Sequence, residues 1–71
     1  MFRLSIPENQ ADEAKALIYD NGIGFDSTYS AIGTYFDDFD NRVVIQFRSA
    51  ENMGKLIDKL EIRNMDYDVD I

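Results

Sequence analysis

At 71 residues the chain has room for one hydrophobic core, and 45% hydrophobic content with five Phe and four Tyr supplies the apolar area that a disordered chain lacks. It contains neither cysteine nor histidine, which removes disulfides, thiolate zinc sites, the commonest general base and every Ser-His or Cys-His pair. The net charge of −7 opposes direct binding to nucleic acid or to an anionic membrane, both of them polyanions.

Phe2, Leu4 and Ile6 alternate with Arg3 and Ser5, the period of a strand with one buried face, and Pro7 ends it. Asn9 is positioned to cap a first helix, with Asp12 and Glu13 in its first turn near the positive end of the macrodipole. Ala11, Ala14, Leu17 and Ile18 recur at helical steps and define its core face. Asn21-Gly22 reads as the stop, with Gly22 left-handed and Ile23 reaching back to Ile18.

The stretch from Phe25 to Phe36 is rich in Tyr, Thr and Ile and predicts a second strand centred on residues 28–36, with Gly33 as a bulge. Asp37-Asp38-Phe39-Asp40-Asn41 has turn composition, and the segment from Arg42 to Arg48 resumes as a strand with Val43, Ile45 and Phe47 on one face. Ser49 is the expected cap of a second helix whose core face is Ala50, Met53, Leu56, Ile57 and Leu60, with Glu51 and Lys55 paired outside. Met65, Tyr67, Val69 and Ile71 alternate with Asp66, Asp68 and Asp70, which predicts a last strand with one acidic face. Arg3 and Ser5 on the neighbouring first strand are expected to offset that row in part.

Strand, helix, strand, strand, helix, strand is the order of the split β-α-β arrangement called ferredoxin-like. The expectation is therefore a single α+β domain over residues 1–71, with an antiparallel sheet in the order 4-1-3-2 and two helices on one face. That architecture hosts many unrelated functions and by itself names none.

The charge imbalance is local. Residues 8–40 hold eight acids against Lys15 alone, whereas residues 41–71 hold six acids against five bases. In the expected topology Glu8, Asp12 and Glu13 from the start of the first helix, Asp37, Asp38 and Asp40 from the hairpin, and Glu61 and Asp66 from the last connection meet at one end. Only Arg42 and Arg63 are expected to stand near enough to offset them. Phe39, among the hairpin acids, is expected to point outward as an aromatic anchor ringed by carboxylates.

Motifs of enzymes and ligand sites fail on particular residues. Asp38-Phe39-Asp40-Asn41 begins like a calcium loop, but the twelfth position is Ser49 where a bidentate Glu is needed. The loop after the first strand, Pro7-Glu8-Asn9-Gln10, has no anion-holding Arg of the acylphosphatase kind, and that strand has no Asp of the kind found in CRISPR adaptation nucleases. Phe2 and Phe47 are in phase with the buried sets, unlike the base-stacking aromatics of RNA-recognition domains. Gly22-Ile23-Gly24 lacks the third glycine of a dinucleotide loop. No catalytic residue, metal ligand or cofactor is therefore assigned.

The sign of the charge favours a basic protein partner. The first expectation is a small acidic interaction module that docks its carboxylate-rich end, Glu8, Asp12, Glu13, Asp37, Asp38, Phe39, Asp40 and Asp66, onto a nucleic-acid-binding surface and competes with DNA or RNA. In size and charge the chain is similar to inhibitors that phages use against host defence enzymes. The alternative is a self-associating regulatory or ligand-sensing module that dimerises through the second strand or through an apolar patch of Ile32, Phe36 and Val44 on the open sheet face. No apolar run approaches the roughly 18 residues of a membrane span, and the N-terminal residues lack a signal-peptide layout, so a cytoplasmic location is expected.

Overall fold

A computed structural model describes the backbone of residues 1–35 and 38–70, and the side chains of residues 1–32 and 41–69. The first strand follows its alternation: in β1 (Phe2–Pro7) Leu4 and Ile6 are fully buried, while Arg3 is exposed. After it come a 3-10 turn (Glu8–Gln10), α1 (Ala11–Asp20), β2 (Ser27–Tyr35), β3 (Asp38–Phe47), α2 (Ala50–Ile62) and β4 (Asp68–Asp70). The four strands form one antiparallel sheet in the order β2-β3-β1-β4, which is the expected order read from the other edge.

One apolar layer holds the sheet to the helices. Leu4 and Ile6 of β1 and Ile45 and Phe47 of β3 share a cluster with Ala14, Leu17 and Ile18 of α1 and Met53, Leu56 and Leu60 of α2, so both helices cover the same face. Burying each large member contributes about 1.5–3 kcal/mol relative to leaving it in water. Among the described residues no polar or charged residue is buried with them. Ala50, expected in this layer, is exposed, because the first residue of α2 precedes the turn that meets the sheet.

The helix ends show which local signals held. Ser49 caps α2 as expected, its side chain accepting from the Glu51 and Asn52 backbone N–H groups, and Lys55 pairs with Glu51 at 3.7 Å. Asn9 does not cap α1. The 3-10 turn takes its place, and the Ala11 N–H is satisfied by the Glu8 carbonyl, leaving Gln10 at the cap position with no side-chain bond to the helix it caps. At the other end of α1, Gly22 is left-handed (φ 61°), the Ile23 N–H donates to the Ile18 carbonyl at 3.0 Å, and the Gly22 N–H donates to Tyr19 at 3.4 Å. Helix α2 ends by the same motif with Asn64 in the left-handed position (φ 57°), the Met65 N–H donating to Leu60 at 2.9 Å and the Asn64 N–H to Glu61 at 3.0 Å.

The hairpin differs from expectation. The pairing of β2 with β3 runs without a break from Ser27↔Gln46 to Tyr35↔Asp38, so Gly33, opposite Asp40, marks no bulge. Asp38, Phe39, Asp40 and Asn41 are strand residues rather than turn residues, paired with Tyr35, Thr34, Gly33 and Ile32. The β-branched and aromatic residues of β2 offer a ladder of backbone partners that outweighs the turn preference of Asp and Asn. Asp37, Phe36 and Ile71 lie outside the described residues. β1 accompanies β3 only as far as Pro7↔Arg42. The β2–β3 hairpin thus runs four residue pairs further, about 13 Å at strand rise, with no β1 residue beside it.

The last strand is shorter than its alternation suggests. The Met65 N–H is spent on the end of α2, and the Asp66 N–H donates to the Gln10 side chain at 3.1 Å, so β-pairing begins only at Asp68, opposite Ser5.

Candidate protein-interaction surface

Antiparallel packing brings the start of α1 beside the end of α2. Arg63, the residue capping α2, donates to the Glu13 carboxylate in the first turn of α1 at 3.3 Å, both side chains being about half exposed. The pair places an anion at a helix N-terminus and a cation at a helix C-terminus, so it complements both macrodipoles. The Gln10–Asp66 hydrogen bond joins the same two regions. Glu8, Asp12, Glu13 and Asp66 therefore belong to one end of the molecule, and all four are exposed. Among the described residues no Lys or Arg lies within ion-pair distance of Glu8, Asp12 or Asp66.

At that end of the sheet the backbone of β3 continues past the last β1 pair, Pro7↔Arg42. Asp38, Phe39 and Asp40 occupy paired positions on the projecting part of β3, their side chains lie outside the described residues, and so does the whole of Asp37. The expected outward-pointing Phe39 and the calcium reading of this stretch rest on those side chains. Among the described residues, no three carboxylates stand close enough together to hold a metal ion.

Arg42, expected to offset the acids at this end, is used on the open face of the sheet. Its guanidinium donates to the Ser5 hydroxyl, to the Ser5 carbonyl at 3.0 Å, and to the Asp68 carboxylate at 3.2 Å. Arg42 thereby does for Asp68 what Arg3 was expected to do, while Arg3 approaches the Gln46 side chain at 3.5 Å. Gln46 in turn donates to Ser27 at 3.0 Å, and Arg48 holds Asp26 at 2.8 Å. This polar ladder replaces the expected apolar patch: Val44 is on the open face but only 6% exposed, and Ile32, opposite Asn41, falls on the other face. Alternation signalled the faces of β1 and β3 correctly, but the side on which Ile32 falls and which cation would reach which carboxylate depended on a register that the sequence left open.

At the base of the projecting hairpin, Glu8, Ser30, Ala31, Ile32, Asn41 and Arg42 line an open hollow of about 630 Å³. Tyr67 donates to the Glu61 carboxylate at 2.6 Å. That hydrogen bond, followed by burial and the negative charges of Glu61 and Asp58, raises the phenol above its ordinary value of 10.0. Among the described residues, no helix is long and apolar enough to cross a membrane. No protein-family model matches the chain, and no curated protein matches it.

Proposed function

We propose that this chain is a small acidic interaction module of ferredoxin-like topology, acting in the cytoplasm without catalysis, that docks the α1-start end and the projecting hairpin onto a basic nucleic-acid-binding surface and competes with DNA or RNA there. The observation that supports this reading is the distribution of cations. Among the described residues Arg42, Arg48, Lys55 and Arg63 form ion pairs, and of the described acids of the proposed surface Glu13 alone is in one of them, with Arg63. Glu8, Asp12 and Asp66 present negative charge at the start of α1, and the paired positions of Asp38 and Asp40 on β3 continue past Pro7 at the same end of the sheet. Such a field steers a cationic partner and opposes a polyanion. Phage inhibitors of host defence enzymes are the class this chemistry fits.

The reading is tested by displacement: a cationic nucleic-acid-binding domain carrying a labelled DNA duplex is titrated with the chain at two salt concentrations. Displacement should weaken with salt. It should be lost in the triple variant Glu8→Lys, Asp12→Lys, Asp66→Lys and retained in Asp20→Lys, which reverses an exposed acid at the opposite end of α1. Equal loss in both variants would mean that net charge, rather than this surface, is what binds.

A further inference from the structure

The two edges of the sheet are built differently. β4 is three residues long, two of them Asp68 and Asp70, and charged residues on a short edge strand deter pairing with another chain. β2, the other edge, is nine residues long, hydrogen-bonded on one side to β3, and contains no charged residue and no proline. In a chain of net charge −7 this is the stretch along which a second copy can approach with least repulsion.

We infer that two copies of the chain pair through β2, antiparallel, and join their sheets into one of eight strands. The partner is a second copy for three reasons. An antiparallel strand placed against itself is its own complement under a two-fold axis. The side chains near the middle of β2 reward pairing on both faces: Tyr29 is 44% exposed on the open face, and Ile32 is 69% exposed on the other. Pairing by β2 also leaves outward only the two short acidic β4 edges, so assembly stops at two instead of continuing as a fibre. A basic protein would find no carboxylate within β2 to recognise. A contact of one strand per copy lies at or below the lower end of stable interfaces, about 1,200 Å² in total. Exchange between monomer and dimer is therefore fast and set by concentration.

The test is sedimentation velocity on the full chain over a concentration series at low and high sodium chloride. The expected result is a monomer–dimer equilibrium that tightens as salt screens the charge on each copy, the opposite of the salt response of docking onto a basic partner. Failure of one proposal thus leaves the other standing. Ile32→Lys and, separately, Ser30→Lys each put one cation per copy into the paired strand and should weaken association about tenfold or more, like charges opposing each other across the two-fold axis. Amide hydrogen exchange on the unsubstituted chain reads the same contact without mutation: alternate β2 amides should gain protection with concentration while those of β4 do not. A monomer at every concentration overturns the inference. So does a dimer with unchanged β2 protection, or assembly that grows past two.

Discussion

Arg42 on β3 and Asp68 on β4 form an ion pair at 3.2 Å across the strand between them, whose Ser5 offers its hydroxyl and its carbonyl to the same guanidinium. Arg42 is 15% exposed and Asp68 78% exposed, so the hydrogen bonds to Ser5 carry more of the stabilisation than the ion pair. Arg42→Met, which keeps an apolar stem, should lower stability by about 1–2 kcal/mol, and Asp68→Asn by less than about 1 kcal/mol. Urea unfolding of the two variants measures the difference. An equal loss in both would transfer the weight to the carboxylate.

The two helix endings make a matched pair of tests. Gly22→Ala forces a side chain into a left-handed backbone at φ 61° and should cost about 1 kcal/mol, although no neighbour stands within 4 Å of the added carbon. Asn64→Gly relieves the same strain at φ 57° and should gain a few tenths of a kcal/mol, the larger freedom of glycine in the unfolded chain offsetting the rest. Thermal melts should move in opposite directions.

Gly22 was legible because glycine after an apolar helical run has few other readings, whereas Asn64 is equally at home in a cap, a turn or a loop. The same contrast runs through the molecule. Leu4, Ile6, Leu17, Leu56 and Leu60 announced their burial by spacing, and the strand order followed from the sequence of elements. The extent of β3 did not, since Asp38, Asp40 and Asn41 have turn chemistry, and only the partner strand decides that they pair. At the candidate surface, the Arg63–Glu13 and Asp66–Gln10 contacts join the start of α1 to the end of α2, the two regions that the order of elements brings to one end. The diversion of Arg42 to Ser5 was hidden, because a side chain's reach across two strands leaves no mark on sequence spacing.

Tyr67 gives stability a pH dependence on the alkaline side. Its phenol is raised above 10.0 in the folded chain, so the unfolded chain loses this proton first. The contribution is complete below the ordinary phenol value and is lost as pH rises through the higher folded value. Ultraviolet titration should show a late-ionising phenol that Tyr67→Phe removes together with the matching slope in stability. A stability slope unchanged by Tyr67→Phe would refute the Tyr67–Glu61 hydrogen bond.

The apolar layer should tolerate little. Leu56→Ala removes a fully buried side chain from the contact of α2 with the sheet and should cost about 2–5 kcal/mol, a large fraction of the roughly 5 kcal/mol at the low end for small domains. Ile62→Ala, on the same helix but 79% exposed, should stay within about 0.5 kcal/mol. Chemical denaturation of both separates burial from hydrophobicity as the cause.

The reach of β2 and β3 past Pro7 also makes them a lever. A pull applied at the level of Asp38 should bend the two strands about the level of Arg42, where β1 begins to pair with β3 from the other side. At that fulcrum the guanidinium is moored to Ser5 and Asp68, so mechanical work should fall first on polar contacts that re-form readily in water and should spare the apolar layer beneath the helices.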